Sequence, residues 1–120
     1  MDNQPKSLVV DDDRVCRIVL THFLTRLGHN VVAASDGNEA IDIIKDHNFD
    51  FAFVDLRMPS ITGVDIAMHF RQVLESRKKS VKVFITTADD TFDGKSLESG
   101  LIAGTITKPI LEDAIRKATC

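Results

Sequence analysis

Two short apolar runs that each end in aspartate are the feature that most constrains this chain. Residues 51–54 are Phe, Ala, Phe and Val and lead straight into Asp55, and residues 8–10 lead in the same way into Asp11 and Asp12. An apolar run of this length, bounded by turn signals, is typical of a strand that is buried on both faces. Each acid then stands at the carboxyl end of its strand, so two such strands predict one shared acidic pocket.

The rest of the chain alternates between short apolar runs and stretches with helical periodicity. We predict strands at residues 6–10, 30–34, 50–54, 81–87 and 104–107, each followed by a helix. The helix is weakest over residues 90–101, where Gly94 and Gly100 interrupt it, so a short or irregular fourth helix is expected. Five strand–helix repeats predict an α/β fold, with a five-stranded parallel sheet, five helices on its two faces and right-handed crossovers.

Local signals indicate where the helices begin and which faces point inward. Asp12 or Asp13 can cap the first helix, and Asp36 and Glu39 have the spacing of a capping box before the second. Cys16 falls on the inner face of the first helix and is assigned to core packing. The last helix has an i, i+3, i+4, i+7 set that is expected to face the core, formed by Leu111, Ala114, Ile115 and Ala118.

Composition excludes several classes of protein. The 120 residues, 43% of them apolar, suit a single domain, and the net charge of −3 argues against a nucleic-acid-binding surface. There is no apolar run long enough to cross a membrane and no signal peptide, so we expect a cytoplasmic protein. Two cysteines are too few for a disulfide framework. The four histidines share no metal-ligand spacing and are predicted to lie at the surface without a role: His22, His29, His47 and His69.

The predicted strand ends gather a chemically distinctive set of side chains on one rim of the sheet. In open α/β sheets, ligands bind outside the carboxyl ends of the strands. The residues predicted there are Asp11, Asp12, Asp55, Thr87 and Lys108. Clustered carboxylates repel one another, and oxygen ligands of this kind favour Mg²⁺. An aspartate nucleophile, a metal, a lysine and a hydroxyl together suit a phosphoryl group, which an aspartate can accept as an acyl phosphate.

The spacing of five motifs resembles that of the receiver domains of two-component response regulators, over essentially the whole chain. The motifs are residues 8–12 (Leu-Val-Val-Asp-Asp), residues 54–59 (Val-Asp-Leu-Arg-Met-Pro), Gly63, residues 86–88 (Thr-Thr-Ala) and residues 107–109 (Thr-Lys-Pro). The resemblance implies a flavodoxin-like, doubly wound fold with strand order 2-1-3-4-5. It also implies a single receiver domain over residues 1–120, with any output domain lying beyond residue 120.

The resemblance further implies a role for each motif residue. Asp55 is the expected phosphoacceptor, Lys108 would pair with the phosphoryl oxygens, and Thr87 would donate its hydroxyl to the phosphoryl group and move inward on activation. The Lys108–Pro109 peptide bond is expected to be cis.

A magnesium site is implied next to the phosphoacceptor. Asp12 would bind Mg²⁺ directly, Asp11 mainly through water, and Asp55 and the main-chain carbonyl of Arg57 would complete the protein ligands. The expected phosphoryl donor is a phosphohistidine on a sensor histidine kinase or a histidine phosphotransfer protein. Such a domain would catalyse its own phosphorylation and dephosphorylation without being a conventional enzyme.

Two alternative functions remain open from the sequence. The chain could be a receiver-like interaction module that does not turn over phosphate. It could also be a magnesium-dependent phosphatase with an aspartyl nucleophile, which is disfavoured because Arg57 stands where the second catalytic aspartate would be.

Two features depart from the usual receiver pattern. Thr105 occupies the position at which receivers often have an aromatic residue that moves on activation. Arg57 and Asp89 flank the phosphorylation site, and we predict that they form an ion pair over the acyl phosphate and slow its hydrolysis.

Overall fold

The computed structural model describes residues 4–59, 61–77, 80–89, 91–92 and 100–120. Within these residues there are five strands and four helices. In chain order they are β1 (Lys6–Val10), α1 (Arg14–Arg26), β2 (Asn30–Ala34), α2 (Gly37–Asp46), β3 (Phe51–Asp55), α3 (Gly63–Arg77), β4 (Lys82–Thr87), β5 (Gly104–Thr107) and α4 (Glu112–Ala118). The predicted α/β class is confirmed. The irregular helix expected over residues 90–101 falls mostly outside the described residues, so α4 is the last of the five predicted helices.

All five strands are parallel and form one sheet in the order β2-β1-β3-β4-β5, as the resemblance implied. The chain first moves from β1 to β2 at one edge and then returns to place β3 on the other side of β1. The carboxyl ends of β1 and β3 are therefore neighbours at the point where the strand order reverses. This is where open α/β sheets bind ligands.

The sheet separates two apolar cores, because successive side chains of a strand point to opposite faces. On one face, Val10, Val54 and Ile85 belong to a core that includes residues of α2 and α3. On the other face, Phe53 and Phe84 stack with ring centroids 5.4 Å apart in a core shared with α1 and α4. Burial of each such large side chain contributes about 1.5–3 kcal/mol. These two layers hold the strand ends at fixed positions.

The helix ends follow the predicted signals. Asp13, rather than Asp12, caps α1, because its carboxylate accepts a hydrogen bond from the Val15 amide at 2.9 Å. Asp36 caps α2 by accepting a hydrogen bond from the Glu39 amide at 2.8 Å. Since Asp13 takes the capping role, the exposed carboxylate of Asp12 stays at the carboxyl end of β1.

Two predictions of side-chain environment were wrong, and a third, the core packing of Cys16, holds only in part. Leu111 is 64% exposed, because α4 begins only at Glu112 and the extended backbone of Leu111 lies outside the helical period. His29 is buried rather than at the surface, since its Nδ1 lies 2.7 Å from the Ser7 hydroxyl and its ring packs on Phe51. Cys16 is only half-buried, and its thiol lies 3.4 Å from the carboxylate of the capping aspartate.

In the part of the chain that the structure describes, no helix is long and apolar enough to cross a bilayer.

Candidate functional site

Three of the predicted acids converge at the carboxyl ends of β1 and β3. One carboxylate oxygen each from Asp11, Asp12 and Asp55 lies within 4.8 Å of the other two. Asp11 and Asp55 are buried, whereas Asp12 is exposed. The structure therefore brings together the acidic pocket that the two apolar runs predicted.

Hydrogen bonds to the main chain and to the carboxylate of Asp11 hold the turn after β1. The Asp11 amide donates to the Ala34 carbonyl at 3.2 Å, and its Oδ1 accepts from the Asp13 amide at 2.9 Å. The guanidinium of Arg17, one turn into α1, donates from Nη1 to the main-chain oxygen of Asp11 at 2.8 Å. The role of Arg17 cannot be read from the sequence, because a lone arginine on a helix carries no signal of the carbonyl that it contacts.

Lys108 bridges the two buried acids. Its ammonium nitrogen lies 3.0 Å from Oδ2 of Asp11 and 3.4 Å from Oδ1 of Asp55. The Lys108 amide donates to the Thr87 carbonyl at 2.7 Å, which fixes the chain at the end of β5. The Lys108–Pro109 bond is cis, as expected.

The charges of the site perturb one another. Burial, with the nearby charge of Asp11, raises the pKa of Asp55, and Lys108 opposes this increase only in part. Burial also acts against the charge on Lys108, but its hydrogen bond to Asp11 and the charges of Asp11 and Asp55 outweigh it and raise the lysine pKa. The resting pocket therefore has an excess of negative charge, which a cation would relieve.

The loop after β3 is held tightly against the sheet. The Leu56 amide donates to the Thr86 carbonyl at 2.9 Å, and the Gly63 amide donates to the Leu56 carbonyl at 3.0 Å. A Cβ atom on Gly63 would lie 2.5 Å from the main-chain oxygen of Asp55. This close approach explains why a glycine occupies the start of α3.

The remaining predicted residues lie at or just after the ends of β3 and β4. Thr87 is buried at the end of β4, and its hydroxyl oxygen accepts a hydrogen bond from the Asp89 amide at 3.0 Å. Arg57 and Asp89 form the predicted ion pair, with Nη2 and Oδ2 3.2 Å apart. The Arg57 side chain is 78% exposed and that of Asp89 is 33% exposed, so solvent reaches this pair.

Comparison with known proteins identifies the class that this fold and site define. Residues 7–119 match the family model of the response regulator receiver domain. The chemotaxis protein CheY of Pseudomonas aeruginosa is 30% identical over 118 residues, which cover 93% of this chain and 94% of that protein. The chain belongs to the response regulator receiver domain family, the phosphoacceptor domains of two-component signalling.

Solved structures of receivers share the fold throughout. The chemotaxis protein CheY4 of Vibrio cholerae superposes with a TM-score of 0.85 at 26% identity, over 97% of this chain and 96% of that one. The response regulator TrrA of Thermotoga maritima, solved in complex with Mg²⁺ and BeF, gives a TM-score of 0.81 at 26% identity, over 97% and 96% of the two chains.

Other relatives are considerably longer than this chain. The transcriptional regulatory protein YrkP of Bacillus subtilis is 33% identical over 90% of this chain, which spans 45% of its length. The sensor kinase/phosphatase LuxQ of Vibrio parahaemolyticus is 31% identical over 98% of this chain, which spans 13% of its length. Receivers related to this chain therefore occur within both regulators and sensor kinases.

Proposed function

We propose that Asp55 accepts a phosphoryl group from a phosphohistidine donor, and that Lys108 and Thr87 hold the group during transfer. The observation that supports this assignment is the placement of the Lys108 ammonium against both Asp11 and Asp55. A fixed cation beside a carboxylate at a strand end is suited to a dianionic phosphoryl group, because phosphoryl transfer depends mainly on positioning and charge neutralisation.

Magnesium fits the donor set that the structure provides. Three carboxylate oxygens within 4.8 Å of one another are hard ligands, and one of the three acids, Asp12, is exposed to solvent, which suits an ion that retains several waters. Asp11, Asp12, Asp55 and the main-chain carbonyl of Arg57 would hold the ion. When bound, it would neutralise charge on the transferring phosphoryl group and on the acids. The complex of TrrA with Mg²⁺ and BeF supports this proposal.

Asp55, Lys108 and Thr87 have different roles in the proposed phosphoryl transfer. A carboxylate oxygen of Asp55 forms a bond to phosphorus as the bond from phosphorus to the donor imidazole nitrogen breaks. Lys108 then faces the phosphoryl oxygens, and Thr87 exchanges its contact with the Asp89 amide for a hydrogen bond to the same group. Water later attacks phosphorus, and inorganic phosphate leaves as the Asp55 carboxylate re-forms. The phosphorylated state would shift the domain toward a second conformation that partners recognise.

The setting of this reaction is also a proposal. Residues 1–120 would act as one receiver domain in the cytoplasm, and a sensor histidine kinase or a histidine phosphotransfer protein would be the donor. The presence of related receivers in LuxQ and in YrkP supports both kinds of context. The signal output would then depend on the protein to which the domain belongs or which it binds.

Mass spectrometry after incubation with acetyl phosphate and Mg²⁺ tests the proposal. We expect an acid-stable, base-labile gain of one phosphoryl group in the native chain and none in Asp55→Asn. Asp50→Asn, the same substitution at the exposed residue just before β3, is the matched control and should still be phosphorylated. If the native chain gains no mass with acetyl phosphate or a phosphohistidine donor, the interaction-module alternative is correct. Turnover of unrelated phosphomonoesters would instead indicate a phosphatase.

A further inference from the structure

A buried hydroxyl beside the phosphorylation site has no hydrogen-bond partner. Among the residues that the structure describes, Oγ1 of Thr86 is the buried side-chain nitrogen or oxygen atom left without one, and Thr86 is 0% exposed. Buried polar groups are nearly always paired, and leaving one unpaired costs free energy. Valine has the same shape and high strand propensity without this cost, so β-propensity alone does not account for threonine here.

Strand register places this hydroxyl next to the phosphoacceptor. Thr86 on β4 is directly opposite Asp55 on β3, and it is opposite Ile106 on β5. Partner residues of a parallel pair point to the same face, as the shared core of Phe53, Phe84 and Ile106 shows on this side of the sheet. Thr86 and Asp55 therefore share one face, with side chains at the separation of direct cross-strand neighbours.

Lys108 reaches the pocket across the same strand. It follows Ile106 by two residues and so starts on the same face of the sheet, yet its ammonium lies 3.4 Å from Asp55 Oδ1 on β3. Because β4 separates β5 from β3, the lysine side chain has to cross the carboxyl end of β4, the strand that carries Thr86. In the resting state this carboxylate oxygen of Asp55 is therefore paired with Lys108 and not with Thr86.

Thr87, the next residue along β4, faces the opposite side, and its hydroxyl oxygen accepts a hydrogen bond from the Asp89 amide. The site therefore has two hydroxyls on different faces of one strand, of which only Thr86 makes no bond.

We propose that Thr86 is a second hydrogen-bond donor to Asp55, engaged when Asp55 is phosphorylated. This inference rests on the proposed function. Once Lys108 turns to the phosphoryl oxygens, the Asp55 oxygen that it served is left beside the hydroxyl of Thr86, which donates to it. During hydrolysis, a water oxygen bonds to phosphorus, the bond between phosphorus and Asp55 breaks, and its electron pair returns to the carboxylate. The water proton leaves with the phosphate, and Thr86 stabilises the charge that develops on Asp55.

Comparison of Thr86→Val with Thr86→Ser separates the hydroxyl from the methyl group. After labelling with acetyl phosphate and Mg²⁺, we expect the valine variant to lose its phosphoryl group roughly tenfold more slowly than the native chain, as for loss of a hydrogen bond to a charged group. The serine variant keeps the hydroxyl and should decay within about twofold of the native rate.

A second measurement without metal or phosphoryl group distinguishes this role from a structural one. In EDTA, the urea midpoint of Thr86→Val should equal or exceed that of the native chain, because the hydroxyl makes no bond in the resting state. The midpoint of Thr86→Ser should be lower, because a buried methyl group is lost.

Several results would overturn the inference. They are native decay of Thr86→Val, decay of Thr86→Ser as slow as that of Thr86→Val, and a lowered urea midpoint or failure to fold of Thr86→Val. Normal labelling with any of these outcomes refutes the role of Thr86 alone. A native chain that takes up no phosphoryl group refutes the inference and the proposed function together.

Discussion

The ammonium nitrogen of Lys108 lies 3.4 Å from Oδ1 of Asp55, although β4 separates the strands that bring the two residues to the site. The same nitrogen lies 3.0 Å from Asp11, whose side chain is fully buried. Lysine therefore offsets the repulsion between two carboxylates in the resting domain. The contact makes Lys108 a structural element of the pocket before any phosphoryl group arrives.

Replacement of Lys108 by methionine should destabilise the metal-free domain. The substitution keeps the aliphatic stem and leaves the buried charge of Asp11 without its cation, so we expect the unfolding free energy in EDTA to fall by about 3 kcal/mol. Mg²⁺ should restore part of this loss and stabilise the variant more than the native chain. Urea denaturation with and without Mg²⁺ measures both effects. Lys117→Met, at an exposed position on α4, should behave as the native chain does.

An unchanged urea midpoint for Lys108→Met in EDTA would show that the carboxylates do not depend on the lysine. Equal stabilisation of the variant and the native chain by Mg²⁺ would show that the cation and the ammonium act at separate places.

Substitution of Arg57 should change the lifetime of the phosphorylated form with little effect on stability. Its ion pair with Asp89 is exposed, and such pairs contribute at most about 1 kcal/mol, which corresponds to roughly fivefold in a rate. Because Arg57 follows the phosphoacceptor by two residues, we expect the pair to shield the acyl phosphate, and Arg57→Ala should accelerate loss of the phosphoryl group by up to that factor. The decay is followed by mass spectrometry, with Arg14→Ala on the exposed side of α1 as the control. A decay rate equal to that of the native chain means that the pair does not shield the acyl phosphate.

Gly63→Ala should damage both stability and phosphorylation. The new Cβ would approach the main-chain oxygen of Asp55 to 2.5 Å, so either α3 or the end of β3 has to shift. We expect the unfolding free energy to fall by about 1–3 kcal/mol and the rate of phosphorylation by acetyl phosphate to fall with it. Gly104→Ala is the control, since its Cβ would meet only the Phe84 ring at 3.3 Å and should cost less. Equal losses of stability in the two variants, with normal phosphorylation of Gly63→Ala, would contradict this account.

The parts of the site that depend on where the strands end were predictable from the sequence. An apolar run that ends in an acid predicts a buried strand with the acid at its carboxyl end. A parallel sheet brings the carboxyl ends of its strands together at one edge. The convergence of Asp11, Asp12 and Asp55 required no knowledge of side-chain contacts. The strand order depended on the resemblance, because a repeat of strand and helix fits several orders.

The parts that depend on three-dimensional contacts were not predictable. Whether the hydroxyl of Thr86 is paired depends on atoms from neighbouring strands, so the sequence shows only an additional threonine. Leu111 fits the helical period but lies one residue before its helix, where exposure is decided by the turn. His29 lies between a helix and a strand, a position that usually indicates a polar loop, and is nevertheless buried by Ser7 and Phe51.

The burial of His29 predicts a pH-dependent loss of stability far from the phosphorylation site. Burial lowers the pKa of His29 below its ordinary value of 6.5, and the charge of Asp50 opposes this decrease only in part. Between the folded and unfolded pKa values the unfolded chain binds more protons, so stability rises with pH through this range. The stabilisation is fully present above about pH 6.5 and is lost as the pH falls below it.

Urea denaturation between about pH 7.5 and about pH 5.5 measures this contribution. His29→Gln retains a polar group toward Ser7 but has no proton to gain, so its unfolding free energy should fall less over this interval than that of the native chain. His22→Gln, at an exposed position on α1, should retain the native pH dependence. If His29→Gln and the native chain lose the same stability on acidification, the buried imidazole does not set the acid sensitivity of the fold.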